Sequence, residues 1–323
     1  MSAEFLPLTC GSSWDNSGVG IQPSAACAIN CKNLIEAVAG YVRNSLSDNT
    51  KRAYLADLAH FESWGGAIPA VPETVAAYIA AHADKLSPAT LDRRLAAISK
   101  AHKARSQANP TRSALVHAVL RGIKREKGVA QKQAAPLLKR QLAGIVAAMS
   151  DTPKGFRDRA LLLLGFAGAF RRSELAGLER EDLEFTREGL IVHLRRSKTD
   201  QLGRGRKVGI RRDEPTLCPV AALERWLSVA TIKNGAVFLR VDCHDNILPT
   251  PISGEAVSMI VKERVAAVGL NPNAYSGHSL RAGFATSAAL AGIPSWRIRQ
   301  QTGHASETML AHYIRDADVF NAC

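Results

Sequence analysis

Six residues in the second half of the chain have the types that chemistry at a phosphodiester needs. Arg171 lies in Phe170-Arg171-Arg172-Ser173-Glu174-Leu175 and Lys198 in Arg196-Ser197-Lys198-Thr199. His278 and Arg281 share His278-Ser279-Leu280-Arg281, His304 follows Gly303, and Tyr313 stands nine residues beyond His304. Each piece alone has an ordinary explanation: an arginine pair is commonly surface charge, and His-x-x-Arg shares one helix face by i,i+3 spacing whether or not it reacts. Taken together, two guanidiniums, one ammonium and two imidazoles are the donors required around phosphate oxygens that gain negative charge. Arginine offers a planar fork to two such oxygens, which lysine cannot do. Tyrosine, with an ordinary pKa of about 10, is a weak nucleophile. Flanking guanidiniums favour its phenolate and lower that barrier. The sequence shows no acidic cluster at Mg²⁺-type spacing, no Gly-rich phosphate loop and no Cys/His zinc pattern. The chemistry expected is phosphoryl transfer with no metal, no ATP and no other cofactor.

The charge of the chain fits a polyanionic partner. Its 323 residues hold 42 Lys+Arg against 29 Asp+Glu, a formal charge of +13. Residues 101–150 carry ten lysines and arginines against one acidic residue, Glu126, and so supply most of that excess. The apolar positions Leu115, Val119, Leu120 and Ile123 have a helical period there and lead into LRGIKREKGVAQKQ. A basic helix end running into a basic linker suits contact with a nucleic-acid backbone. The candidates are Arg121, Lys124, Arg125, Lys127 and Lys132.

With 22% charged and 46% hydrophobic residues the chain is not wholly disordered. No stretch approaches the roughly 20 apolar residues of a membrane span. The first residues lack a basic, apolar secretory pattern, and the six cysteines form no CxxC pair. These features point to a cytoplasmic, nucleoid-associated protein with no membrane partner.

The elements that must position the six residues fall into two groups. Residues 1–32 show no period and read as a loose, flexible extension. Helical patterns follow over 33–44, 50–64, 72–84, 87–105 and 111–127, with Ser47 or Asn49 available to cap the second and Ser87-Pro88 opening the fourth. The stretch 128–136 reads as a linker between Gly128 and Pro136. Helices are then expected over 139–150 and 156–170, the latter a buried helix that ends at the Arg171 box. β-type runs occupy 183–185, 190–194 and 207–210, with Lys198 in the turn between the last two. Helices return over 219–229, 253–268, 278–291, 294–302 and 306–313. The fold class is therefore mainly α: an all-helical unit over 33–127, and a mixed α/β unit over 137–323 that is mostly helical with a small antiparallel sheet. Tyr275, three residues before His278, reads as a packing residue.

In order and spacing the chain resembles the tyrosine recombinase, or phage integrase, family from about residue 33 to 315. Arg171-Arg172-Ser173-Glu174-Leu175-Ala176-Gly177-Leu178 is similar to the family's first arginine box, Arg196-Ser197-Lys198-Thr199 to its β-hairpin lysine, and the stretch from His278 to Thr286 to its second box. Thr302-Gly303-His304 through Tyr313 is similar to the end of that box. The pattern of 49–64 (Asn49-Thr50-Lys51-Arg52-Ala53-Tyr54, then Asp57, Phe61 and Trp64) and the helix opening at Ser87 resemble the family's N-terminal helical, SAM-like core-binding domain. The run after His278 and the Tyr313-Ile314-Arg315 triplet resemble the Cre-like branch of the site-specific recombinases.

The resemblance implies a site-specific recombinase for integration or excision of a DNA element. Tyr313 attacks a scissile phosphate and forms a 3′-phosphotyrosyl link. Arg171 and Arg281 clamp the non-bridging oxygens, and Lys198 protonates the leaving 5′-oxygen. His278 handles the phenol's proton, His304 hydrogen-bonds the phosphate and Glu174 orients the set. It also implies a two-domain clamp on double-stranded DNA with inverted half-sites, a homo-tetramer on that DNA, and accessory DNA-bending proteins as possible partners. Only ten residues follow Tyr313, so subunit exchange through a tail would be short or use another segment. Two alternatives remain at this level: a non-catalytic helix-turn-helix regulator built on residues 72–105, and a type IB topoisomerase-like nicking-closing enzyme.

Overall fold

The computed structural model describes residues 47–129, 133–195, 205–213, 216–304 and 306–307. The extension 1–32, the helix expected over 33–44, Lys132, the turn with Lys198, and Tyr313 lie outside the described residues. The chain divides after Gln131 into two compact units.

Among the described residues the first unit has four helices, α1 (Asp48–Ser63), α2 (Pro72–Ala81), α3 (Pro88–Ala104) and α4 (Ala114–Lys127), of which α1 and α3 start at the serine signals of the sequence. Ser47, Ser87 and Ser113 are N-caps whose hydroxyls accept the backbone N–H of Thr50, Thr90 and Val116, donors that the first helical turn otherwise leaves unpaired. Phe61, Val75, Tyr78, Ile79, Leu91, Leu95, Ile98, Val116 and Ile123 form the core. Of the α1 stripe, Phe61 is fully buried, whereas Trp64 stays 38% exposed. A polar network crosses this core. Asp57, 3% exposed, accepts a two-point bond from Arg93 at 2.8 and 2.9 Å. Arg94 donates to the Tyr78 hydroxyl at 2.8 Å and lies 3.6 Å from Asp57. A buried carboxylate is retained only when so paired, and here it ties α1 to α3.

The second unit begins with a strip laid on its own core. The Ala135 N–H donates to Ala274 O, the Leu137 N–H donates to Ser279 O, and Leu137 is fully buried. α5 (Lys139–Ala147) and α6 (Pro153–Ala167) follow. The buried helix expected to reach Phe170 stops earlier. Ala169 takes a left-handed φ of 48°, and the Phe170 ring folds back onto Gly168, where a Cβ would lie 2.2 Å from it. Only the missing side chain permits that reversal. Arg171 therefore does not end a helix: it is the extended N-cap of a separate short helix, α7 (Arg172–Ala176).

Strands β1 (Leu183–Phe185), β2 (Gly189–Leu194) and β3 (Arg206–Arg211) form an antiparallel sheet in the order β1-β2-β3, registered by Leu183↔Val192 and Val192↔Val208. Leu190, Val192, Leu194, Val208 and Ile210 are buried from it, as period-two alternation dictates. α8 (Pro219–Val229) packs on α6, and its fully buried Trp226 donates to Val237 O at 2.8 Å. A hairpin that the sequence reading does not anticipate, β4 (Leu239–Val241) with β5 (Ile247–Pro251), comes next. Both strands are short and half-exposed, so they carry no apolar alternation to read. α9 (Gly254–Ala267), α10 (His278–Leu290) and α11 (Ser295–Thr302) complete the unit. Asp158, fully buried on α6, is held by Arg157 on its own helix and Arg264 on α9, each at 2.6 Å. Tyr275 packs as expected and its hydroxyl accepts from Gln141 at 3.1 Å. No helix among the described residues is long and apolar enough to cross a membrane.

Candidate active site

Four of the six predicted residues fall among the described ones, and the fold brings all four together. The anchor is Arg171. Its backbone N–H donates to Glu174 Oε2 at 3.0 Å and its Nη1 to Glu174 Oε1 at 2.6 Å, so Glu174 both caps α7 and fixes the guanidinium. Glu174 is only 7% exposed, and a buried carboxylate of this kind needs such charge-assisted bonds. Glu174 thus lies against Arg171, the arginine of the first box.

α10 supplies the next two. His278 is its first residue, and Arg281 follows one turn later on the same face. The Arg281 side chain is 1% exposed and its Nη1 donates to Ala169 O at 2.9 Å. The left-handed turn after α6 therefore presents a carbonyl to the second guanidinium. α10 sits close to Leu137: a Cβ on Gly283 would lie 1.9 Å from Leu137 O.

His304 follows α11, which ends at Gly303 in a left-handed conformation (φ 65°, ψ 38°), the usual glycine helix stop. His304 is 7% exposed. Its Nδ1 lies 2.8 Å from Thr302 Oγ1, and Thr302 Oγ1 donates to Ile298 O at 2.8 Å.

The electrostatics show how tightly these groups cluster. His304 has its pKa lowered to about 3, by burial first and then by Arg281, Arg171, His278 and Arg206. His278 is also lowered, by desolvation and then by Arg281 and Arg171. Since His278 keeps one side open to solvent, the two guanidiniums are the more durable part of that shift. Cations disfavour imidazolium, so both rings are neutral at pH 7 in a pocket whose fixed charges are positive.

Arg206 is not among the residues that the sequence motifs single out. It enters the site from the start of β3, where its Nη1 donates to Gln301 O at 2.7 Å and its Nη2 lies 3.5 Å from Glu174 Oε2. A signal was present: period two puts Arg206 on the same strand face as the buried Val208 and Ile210.

The basic candidates of α4 divide. Lys124 pairs with Asp92 at 2.9 Å, and Lys127 with Asp84 at 2.6 Å and Glu126 at 3.3 Å. Arg121 and Arg125, one helical turn apart, are exposed and make no ion pair among the described residues.

Comparison with known proteins bears on this constellation. Residues 136–319 match the family described as the phage integrase family. The chain is 40% identical over 290 residues to an integrase/recombinase xerD homolog of Selenomonas ruminantium, covering 86% of this chain and 85% of that protein. It is 26% identical over 312 residues to recombinase cre of Escherichia phage P1, covering 89% of each. Among solved structures, a lambda integrase dimer bound to a COC′ core site aligns with a TM-score of 0.60 at 16% identity, over 92% of this chain and 82% of that one. The XerH site-specific recombinase bound to a palindromic difH substrate aligns with a TM-score of 0.59 at 18% identity, over 84% and 76%. With the arginine box, the His278–Arg281 turn and His304 in one pocket, and with the family match spanning all of them, the chain belongs to the phage integrase family of tyrosine recombinases.

Proposed function

We propose that this protein cleaves and rejoins double-stranded DNA at specific sites through a covalent 3′-phosphotyrosyl intermediate on Tyr313, serving the integration or excision of a DNA element. The observation that carries the reading is the convergence of Arg171, Arg281, His278 and His304 on one pocket, where burial and then the neighbouring cations hold His304 near a pKa of about 3. Such a pocket is complementary to a phosphodiester anion.

In the proposed reaction the Tyr313 phenolic oxygen forms a bond to phosphorus and the bond to the 5′-oxygen breaks. Arg171 and Arg281 hold the non-bridging oxygens bidentately. Neutral His278 accepts the phenol's proton, as a base must be unprotonated to do, and Lys198 protonates the departing 5′-oxygen. His304, protonated at Nε2 once the phosphate anion has raised its pKa, donates to a non-bridging oxygen, and Glu174 orients Arg171. The phosphodiester energy is kept in the phosphotyrosyl bond, so attack by a 5′-hydroxyl of a partner strand rejoins DNA without ATP, and these residues leave no step that calls for a metal.

In the same reading residues 33–127 form the core-binding domain, 128–136 the linker, whose end packs onto the second unit through Ala135, and 137–323 the catalytic domain. Arg121, Arg125 and Lys132 contact phosphates, and Lys124 and Lys127 do so only as far as DNA draws them from Asp92 and Asp84. Two sites with inverted half-sites are bound by a homo-tetramer, with accessory bending proteins where the site requires them, in the cytoplasm on the nucleoid.

A DNA duplex nicked just 3′ of the scissile phosphate tests the chemistry, because the short 5′-hydroxyl strand diffuses away and traps the adduct. Wild type is expected to give a protein–DNA adduct stable to denaturant, and Tyr313→Phe none. Binding without any adduct would favour a regulator, and site-independent relaxation of supercoils by monomers a topoisomerase.

A further inference from the structure

Arg206 has a geometry that the family chemistry does not call for. It starts β3, yet its guanidinium reaches two other elements: the carbonyl of Gln301 near the end of α11 at 2.7 Å, and the Glu174 carboxylate on α7 at 3.5 Å. Arg171 makes the matching pair of contacts from the other side, to Glu174 at 2.6 Å and to Gly303 O at 3.4 Å. Glu174 thus sits between two guanidiniums, and both guanidiniums also hold carbonyls at the end of α11. Cations at a helix C-terminus are favoured by the unpaired carbonyls there. His304 is the next residue.

Gly303 packs directly on this arginine. A Cβ at 303 would lie 3.0 Å from the Arg206 guanidinium carbon, so the left-handed glycine serves the arginine's approach as well as the turn. Arg206 Nε is buried and has no hydrogen-bond partner among the described residues. Leaving such a donor unpaired is costly, and a buried group left so calls for an explanation.

We propose that Arg206 is a positioning residue of this active site: with Glu174 and Arg171 it locks the end of α11, and through it His304, in the place where His304 meets the phosphate. The inference rests on the proposed phosphotyrosyl chemistry. Its physical content is the fork: one planar group spans Gln301 O and Glu174, which lysine's single ammonium cannot do. Charge alone is not the device, since Arg206 is also one of the cations that depress His304, and a lysine would keep that charge.

The test is adduct formation on the nicked duplex at saturating protein, so that the rate reports the chemical step and not binding. Arg206→Ala and Arg206→Lys are both expected to form adduct about 10- to 100-fold more slowly than wild type, a loss on the scale of one or two hydrogen bonds. DNA affinity should stay within about threefold. Residues acting as one unit are non-additive, so Arg206→Ala combined with Glu174→Gln should be no slower than the worse single variant. Should Arg206→Ala fail to fold, Arg206→Lys carries the test, with a thermal midpoint as the check. The proposal is overturned if either variant reacts at the wild-type rate, if lysine restores full activity, or if the effects of Arg206→Ala and Glu174→Gln multiply. Absence of an adduct with wild type would instead fail the phosphotyrosyl reading itself.

Discussion

Thr302 Oγ1 and His304 Nδ1 lie 2.8 Å apart in a buried pair, and the threonine's proton is already committed to Ile298 O. Its oxygen therefore accepts from His304, which fixes the neutral imidazole as the Nδ1–H tautomer with Nε2 unprotonated. Two residues before the histidine, the last turn of α11 decides which ring nitrogen can take a proton.

Replacing this acceptor should matter out of proportion to its size. Thr302→Val keeps the volume and removes the hydroxyl, so adduct formation on a nicked duplex should fall roughly tenfold, the value of one hydrogen bond, while Thr302→Ser should stay near wild type. Equal rates for valine and serine would mean that the tautomer is set elsewhere.

The depressed imidazoles make stability depend on pH in a definite sense. In the folded protein His304 titrates at about 3 and His278 below its ordinary value, whereas both take up protons near about 6.5 once unfolded. Below about 6.5 the unfolded chain binds more protons, so stability falls as pH drops. Urea midpoints for wild type should decrease between about pH 7 and pH 5, and His304→Ala should flatten that decrease. A slope unchanged by the substitution would contradict the assignment.

A phosphate anion in the pocket opposes the bias on His304, the ring placed to meet it. An opposite charge raises its pKa, so the DNA complex should bind more protons than the free protein. Affinity should then tighten as pH falls from about 7.5 to about 6. Calorimetry in buffers of differing ionisation heat should register net proton uptake, reduced in His304→Ala.

On α4, the ion pairs separate candidates of identical type. Arg121→Gln and Arg125→Gln should each weaken DNA binding and lower the slope of log affinity against log salt by about one. Lys124→Gln and Lys127→Gln remove charges already paired with Asp92 and Asp84 and should change that slope less. Four equal slopes would show that DNA displaces the intramolecular partners.

Gly283 offers a structural control. A methyl group there meets Leu137 O at 1.9 Å, and overpacking of this kind costs about 1–3 kcal/mol. Gly283→Ala should lower the unfolding free energy by that amount. It should also slow cleavage, because α10 carries both His278 and Arg281. Full stability would mean that the 135–137 strip detaches without cost.

Much of this protein was settled locally. Helix starts followed from Ser47 and Ser87, because capping is chemistry over three residues. The three-stranded sheet followed from alternation that buries one face. Reactive types and their order were visible because Arg171, His278, Arg281 and His304 each sit in a short motif whose spacing is itself local. Three things required the fold. The end of α6 at Ala167 depends on Phe170 folding onto Gly168, a contact that no helical periodicity encodes. The division of α4 between paired lysines and open arginines depends on Asp84 and Asp92, which only the packing of four helices brings near. Arg206 joins the site from a strand 35 residues after Arg171 in sequence, because Glu174, Gln301 and Gly303 meet there in three dimensions. Residue type and short-range spacing determine which chemistry is available. Long-range packing decides which charges are spent on each other, and so which groups stand ready for the phosphate.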